Sequence, residues 1–105
     1  MKILFDQGTP VPLRRSLVGH SVDTAYEKGW ADLSNGDLLN TAEQAGYHLL
    51  ITTDQNLKYQ QNLANRQIAI LVLLTTSWPR IRIQVDEISA IVDEITVGDY
   101  KEVEV

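Results

Sequence analysis

The stretch Ile68-Ala-Ile-Leu-Val-Leu-Leu74 decides the fold. Seven apolar residues in succession do not alternate as a half-exposed strand would. They read as a central parallel strand covered on both faces. Upstream, Leu49-Leu50-Ile51-Thr52 is a second buried strand, and Ile3-Leu4-Phe5 a first one ending at Asp6. His20 to Ala25 reads as a weaker strand built on Val22. Helical segments fall between the strands. Thr9 is placed to cap a helix with Pro10 at its first position, Leu13 and Leu17 on its buried side and Gly19 at its end. Ser34 to Ala45 is the clearest helix: Ser34 and Asp37 can form a capping box, Leu38, Leu39, Ala42 and Ala45 form one stripe, and Gly46 ends it. Gln55 to Asn65 reads as a short polar helix. Downstream, Pro79 can start another helix, with Ile81, Val85, Ile88, Ile91, Val92 and Ile95 near helical spacing, although Ile81 to Val85 also alternates as a strand would. Val97 to Val105 ends in the alternation of an edge strand. Strands alternating with helices predict an α/β fold with a mostly parallel central sheet.

The 105 residues suit one domain spanning 1–105, and 44% hydrophobic content is ordinary for a globular chain. The formal net charge of −5 argues against a simple electrostatic nucleic-acid binder. That charge is concentrated: residues 84–105 carry −6, while residues 1–83 sum to +1. The acidic segment reads as a solvated helix face and a charged edge strand, or as a surface for a basic partner. The absence of cysteine excludes disulfides, thiolate catalysis and Cys-ligated zinc. Residues 1–6 reach a charge too early for a signal peptide, and no apolar run approaches the ~20 residues of a membrane span, so no membrane association and a cytoplasmic location are expected.

In parallel sheets, ligands bind outside the carboxyl ends of the strands, near the point where strand order reverses. Asp6 directly follows the first buried strand, and Asp54 comes two residues after Thr52. Both carboxylates are expected on one rim, and Asp37 can join them if its helix is suitably rotated. Converging carboxylates repel, and a hard divalent cation such as Mg²⁺ or Mn²⁺ relieves that repulsion. Such a cation can bind a phosphate oxygen and acidify a water, the ingredients of phosphodiester hydrolysis. Each acid also has a purely structural reading: a turn for Asp6, a capping box for Asp37, a helix cap for Asp54. His20 and His48 are read as hydrogen-bonded structural residues, and Trp30 and Trp78 as packing residues able to stack bases. Arg14, Arg15 and Lys58 are candidate phosphate contacts.

The pattern resembles the PIN-domain nucleases, and within them a small prokaryotic PIN-like branch often found near toxin–antitoxin systems. The resemblance rests on Lys2-Ile-Leu-Phe-Asp6 with Pro10, Gly19-His20-Ser21-Val22, Ser34-Asn-Gly-Asp37-Leu-Leu with Ala42, and Leu50-Ile-Thr-Thr-Asp54, and covers about residues 1–75. It implies a three-layer α/β/α fold with Asp6, Asp37 and Asp54 on a metal-binding rim. It also implies Mg²⁺- or Mn²⁺-dependent RNA cleavage held in check by an antitoxin. Two positions depart from the branch. Gln7 stands where Glu is common, and Asn56 where a further acid is common, although Asn56 can still offer a carbonyl oxygen to a metal.

Three functions follow as expectations. The first is a metal-dependent endoribonuclease, with Asp6, Asp37 and Asp54 as catalytic and metal-holding acids. The second is a catalytically silent PIN-like module that binds RNA or protein. The third is a homodimer or antitoxin complex formed through the C-terminal edge strand.

Overall fold

The computed structural model describes residues 1–60, 63 and 66–105. Its strands are β1 (Lys2–Phe5), β2 (Ser21–Thr24), β3 (Leu49–Thr52), β4 (Ala69–Leu73) and β5 (Tyr100–Val103). They form one sheet in the order β2-β1-β3-β4-β5, with every neighbouring pair parallel. The expected α/β fold is therefore present, and its sheet is wholly parallel. All residues of β3 and β4 are buried, as two covered faces require. The edge strands β2 and β5 mix buried and exposed positions, which matches their polar sequences.

Alternate strand residues point into two separate cores. Ile3, Phe5, Leu49, Ile51, Ala69, Leu71 and Leu73 meet Leu13, Leu17, Ile81, Ile88 and Val92 on one side. Leu4, Leu50, Ile70 and Val72 meet Leu38, Leu39, Ala42 and Leu57 on the other. The second side is covered by helices α1 (Asn35–Gln44) and α2 (Leu57–Gln60), the first by α3 (Trp78–Arg82), α4 (Val85–Glu94) and a 3-10 helix (Val11–Ser16). The step from β4 to β5 crosses the sheet in the same direction as the step from β2 to β3, yet α4 lies on the face opposite α1. The last crossover therefore has the opposite hand to the β2–β3 crossover.

Three local expectations are corrected. The first connection is a 3-10 helix, and Pro10, in extended conformation (φ −62°, ψ 123°), is its cap rather than its first residue. Short connectors favour this tighter turn. Thr9 does not cap it, because its hydroxyl is committed to the rim described below. The helix read from Pro79 is two helices, with the break at residues 83 and 84. It falls among Ile81, Ile83 and Val85, whose β-branched side chains are weak helix formers. Of the expected helix Gln55–Asn65, Leu57–Gln60 is helical, Gln55 and Asn56 form a turn before it, Leu63 is not helical, and residues 61, 62, 64 and 65 lie outside the described residues. Helix α1 starts as read, with Ser34 Oγ accepting the Asp37 N–H at 3.3 Å, and Gly46 follows its end at φ +83°, a left-handed conformation that glycine adopts at low cost. Among the described residues no helix is long and apolar enough to cross a membrane.

Candidate functional site

Strand order reverses between β1 and β3: the chain leaves β1 for one edge and β3 for the other. Asp6 is the first residue after β1 and Asp54 the second after β3, so the two acids sit at the carboxyl ends of the two strands flanking the reversal. Main-chain pairing carries this placement to the rim, since Asp6 N–H donates to Ile51 O at 3.1 Å.

One hydroxyl links the acids. Thr52 Oγ1 donates to Asp6 Oδ2 and accepts the Asp54 N–H at 3.0 Å. Asp6 Oδ1 accepts the Gly8 N–H at 3.2 Å and faces Thr9 Oγ1 at 3.0 Å. Thr9 Oγ1 also lies 2.9 Å from Ile51 O, so its single proton is shared between the two acceptors. Asp54 Oδ1 accepts the Asn56 N–H at 2.9 Å, and Asp54 Oδ2 accepts from Asn35 Nδ2 at 2.8 Å. Burial drives the Asp6 carboxyl above the usual carboxylate range. The hydrogen bonds from Thr52, Thr9 and Gly8 oppose that rise, and the charge of Asp54 adds to it.

The turn expected of Asp6 is realised, whereas Asp54 closes a turn with Asn56 instead of capping α2, which starts at Leu57; both side chains also converge. Asp37 does not join them. It is exposed in the first turn of α1. Two residues along a helix are about 200° around its axis, so Asn35, facing Asp54, places Asp37 on the other side. The residue of α1 that reaches the acids is Asn35, and the hydroxyls that hold Asp6 are Thr9 and Thr52, both buried. A cleft of about 150 Å³ opens beside them, lined by Asp6, Gln7, Gly8, Trp30, Asn35 and Leu38.

Among the described residues, no three His, Asp or Glu side chains gather closely enough to hold a metal ion together. The donor set is two carboxylates with the Asn35 amide beside Asp54. That fits a Mg²⁺-type ion, which keeps several waters and takes only one or two carboxylates. It does not fit a dehydrated cage.

The loops after β1 and β3 touch at Gly8. A Cβ on Gly8 would stand 2.5 Å from Thr53 Oγ1. Gly8→Ala is expected to cost about 1–3 kcal/mol through overpacking. Most of that loss should disappear in a Thr53→Ala background, and urea denaturation of the four-member cycle reads the coupling. Additive losses would show that the two loops do not meet.

The candidate phosphate contacts differ in their freedom. Arg14 gives two N–H groups to Glu27, the longer at 3.3 Å, and draws the Glu27 carboxyl below its ordinary range. Lys58 Nζ lies 3.0 Å from Glu102. Arg15 is exposed. Both histidines are hydrogen-bonded: His20 to the Met1 ammonium and Asp93, and His48 to the Lys2 N–H. Trp30 packs edge-on against Tyr47.

No known protein family, curated protein or solved structure matches the chain.

Proposed function

We propose that the chain is a PIN-like, Mg²⁺- or Mn²⁺-dependent endoribonuclease acting in the cytoplasm, with the Asp6–Asp54 pair as its working centre. The observation that supports this reading is the convergence of two carboxylates at the strand-order reversal, one of them half-buried and raised above its ordinary range by desolvation. A divalent cation bound there supplies Lewis acidity toward a phosphodiester. The residues of this chain hold and orient: Thr52 fixes both acids relative to each other, Thr9 and Gly8 fix Asp6, and Asn35 fixes Asp54. Asn56, whose N–H bonds Asp54, would offer its amide oxygen to the cation, and of the three candidate phosphate contacts Arg15 is exposed while Arg14 and Lys58 are paired with Glu27 and Glu102. Asp37 takes part only through a rotation of the α1 start. The resemblance extends the proposal to an antitoxin, or a second copy of this chain, pairing along the β5 edge.

The silent RNA- or protein-binding module is the second reading. It is favoured by the outward position of Asp37 and by uncharged Gln7 and Asn56 next to the pair. Purified protein mixed with single-stranded RNA and Mg²⁺ or Mn²⁺ separates the two. Cleavage, with calorimetric Mn²⁺ binding that Asp54→Asn removes, is the expected result. Neither cleavage nor a heat of Mn²⁺ binding would overturn the nuclease reading and leave the module.

A further inference from the structure

Beyond Gln7 the same rim carries a second hollow. It measures about 380 Å³ and is lined by Gln7, Val11, Arg14, Thr24, Tyr26 and Glu27. Thr24 ends β2 and Gln7 lies just past β1, so the hollow opens at the carboxyl end of the sheet. Gln7 also lines the cleft of the acid pair, which makes the two depressions neighbours across one side chain.

Its walls are apolar and uncovered. Tyr26 is 78% exposed and Val11 53% exposed. The backbone that presents Tyr26 is nevertheless fixed. Glu27 N–H donates to Thr24 Oγ1 at 3.0 Å, and Thr24 N–H donates to Glu27 Oε1 at 2.9 Å. These reciprocal bonds close the turn on which Tyr26 sits. The charged part of the lining is the Arg14–Glu27 pair, which is neutral as a unit. A phosphate entering here finds no uncompensated cation. A flat, uncharged group with a polar edge finds an aromatic face, an aliphatic wall, and in Gln7 an amide that both donates and accepts.

We infer that the hollow lined by Tyr26, Val11 and Gln7 is a subsite for one nucleobase of a single-stranded RNA whose backbone runs past the Asp6–Asp54 pair. Tyr26 stacks on the base, Val11 closes the opposite side, and Gln7 reads the base edge. The choice of RNA as ligand rests on the proposed nuclease reading. The subsite itself is testable without catalysis.

The test is fluorescence anisotropy of a short labelled single-stranded RNA in EDTA, where binding is read without metal. Tyr26→Ala is expected to weaken binding about tenfold, the scale of one lost stacking contact. Tyr26→Phe, which keeps the ring, is expected to bind like the parent, and an abasic oligonucleotide should not distinguish Tyr26→Ala from it. Gln7→Ala is expected to change the ranking of homopolymers while Tyr26→Ala lowers them all. Unchanged affinity in Tyr26→Ala, or no binding of RNA by the parent protein, overturns the subsite. The nuclease reading fails separately: if Asp54→Asn leaves cleavage intact while Tyr26→Ala still loses binding, the subsite stands and the catalytic assignment falls.

Discussion

Under the proposed nuclease reading, Asp6→Asn is expected to lower Mg²⁺- or Mn²⁺-dependent RNA cleavage by about 100-fold or more, since even removing the partner of a metal ligand costs on the order of 10–100-fold. The same substitution is expected to stabilise the metal-free protein at neutral pH. Burial holds the Asp6 carboxyl above its ordinary range despite bonds from Thr52, Thr9 and Gly8. The folded state therefore keeps its proton to higher pH than the unfolded chain does. Stability must fall as pH rises from the unfolded carboxylate value, roughly 3.9, through the raised folded value, and the loss then persists to neutrality. An asparagine has no such titration. Its amide can still accept from Gly8 and Thr9 and can donate to Thr52. Urea denaturation in EDTA across this range should show the gap between variant and parent widening in favour of the variant toward neutral pH. A gap independent of pH would mean that the carboxylate is not strained by burial. Functional carboxylates held against desolvation commonly trade stability for chemistry.

Leu71→Ala is expected to remove about 2–5 kcal/mol of stability. Leu71 is fully buried in β4, in register with Ile51 of β3 on one side and Lys101 of β5 on the other. Its side chain enters the core shared by Phe5, Leu13, Ile88 and Val92. Truncation leaves a void that a sheet pinned on both flanks cannot close. Against a total of about 5–15 kcal/mol, such a loss is a large fraction of the stability. Lys101→Ala, at the paired but exposed position, is expected to stay within about 0.5 kcal/mol. Similar urea midpoints for the two variants would refute the central position of β4.

Much of this fold was legible because a doubly covered strand has no polar face to hide. Ile68–Leu74 and Leu49–Thr52 lead directly to β4 and β3. Asp6 and Asp54 were legible as rim residues for the same reason: each follows a buried strand within two positions. Strand order was not, since apolar runs do not say which neighbour they choose, and the place of β1 between β2 and β3 is a tertiary outcome. The outward position of Asp37 depends on helix rotation, which the stripe of Leu38, Leu39 and Ala42 constrains only loosely. Thr9, Asn35 and Thr52 gave little signal, because small polar residues at strand and helix ends read equally well as caps and turns. Their work became visible only when the acids they bond were in place. The helix break near Ile83 had a signal in the run of β-branched residues, and the strand-like alternation there was its trace.

The wholly parallel sheet has a kinetic consequence. It contains no hairpin, so no strand finds its partner next to it along the chain. The β1–β2 pair joins Lys2 to Ser21, β3–β4 joins Leu49 to Ala69, β4–β5 joins Ile70 to Tyr100, and β1–β3 joins Ile3 to Leu49. Helix α4 docks beside a 3-10 helix from the other end of the sequence. Every pairing thus closes a loop before its contacts repay the lost entropy. Parallel pairings of this kind form slowly compared with the local contacts of a helical bundle. Until both neighbours dock, the apolar run of β4 presents unpaired strand edges, which are prone to aggregate.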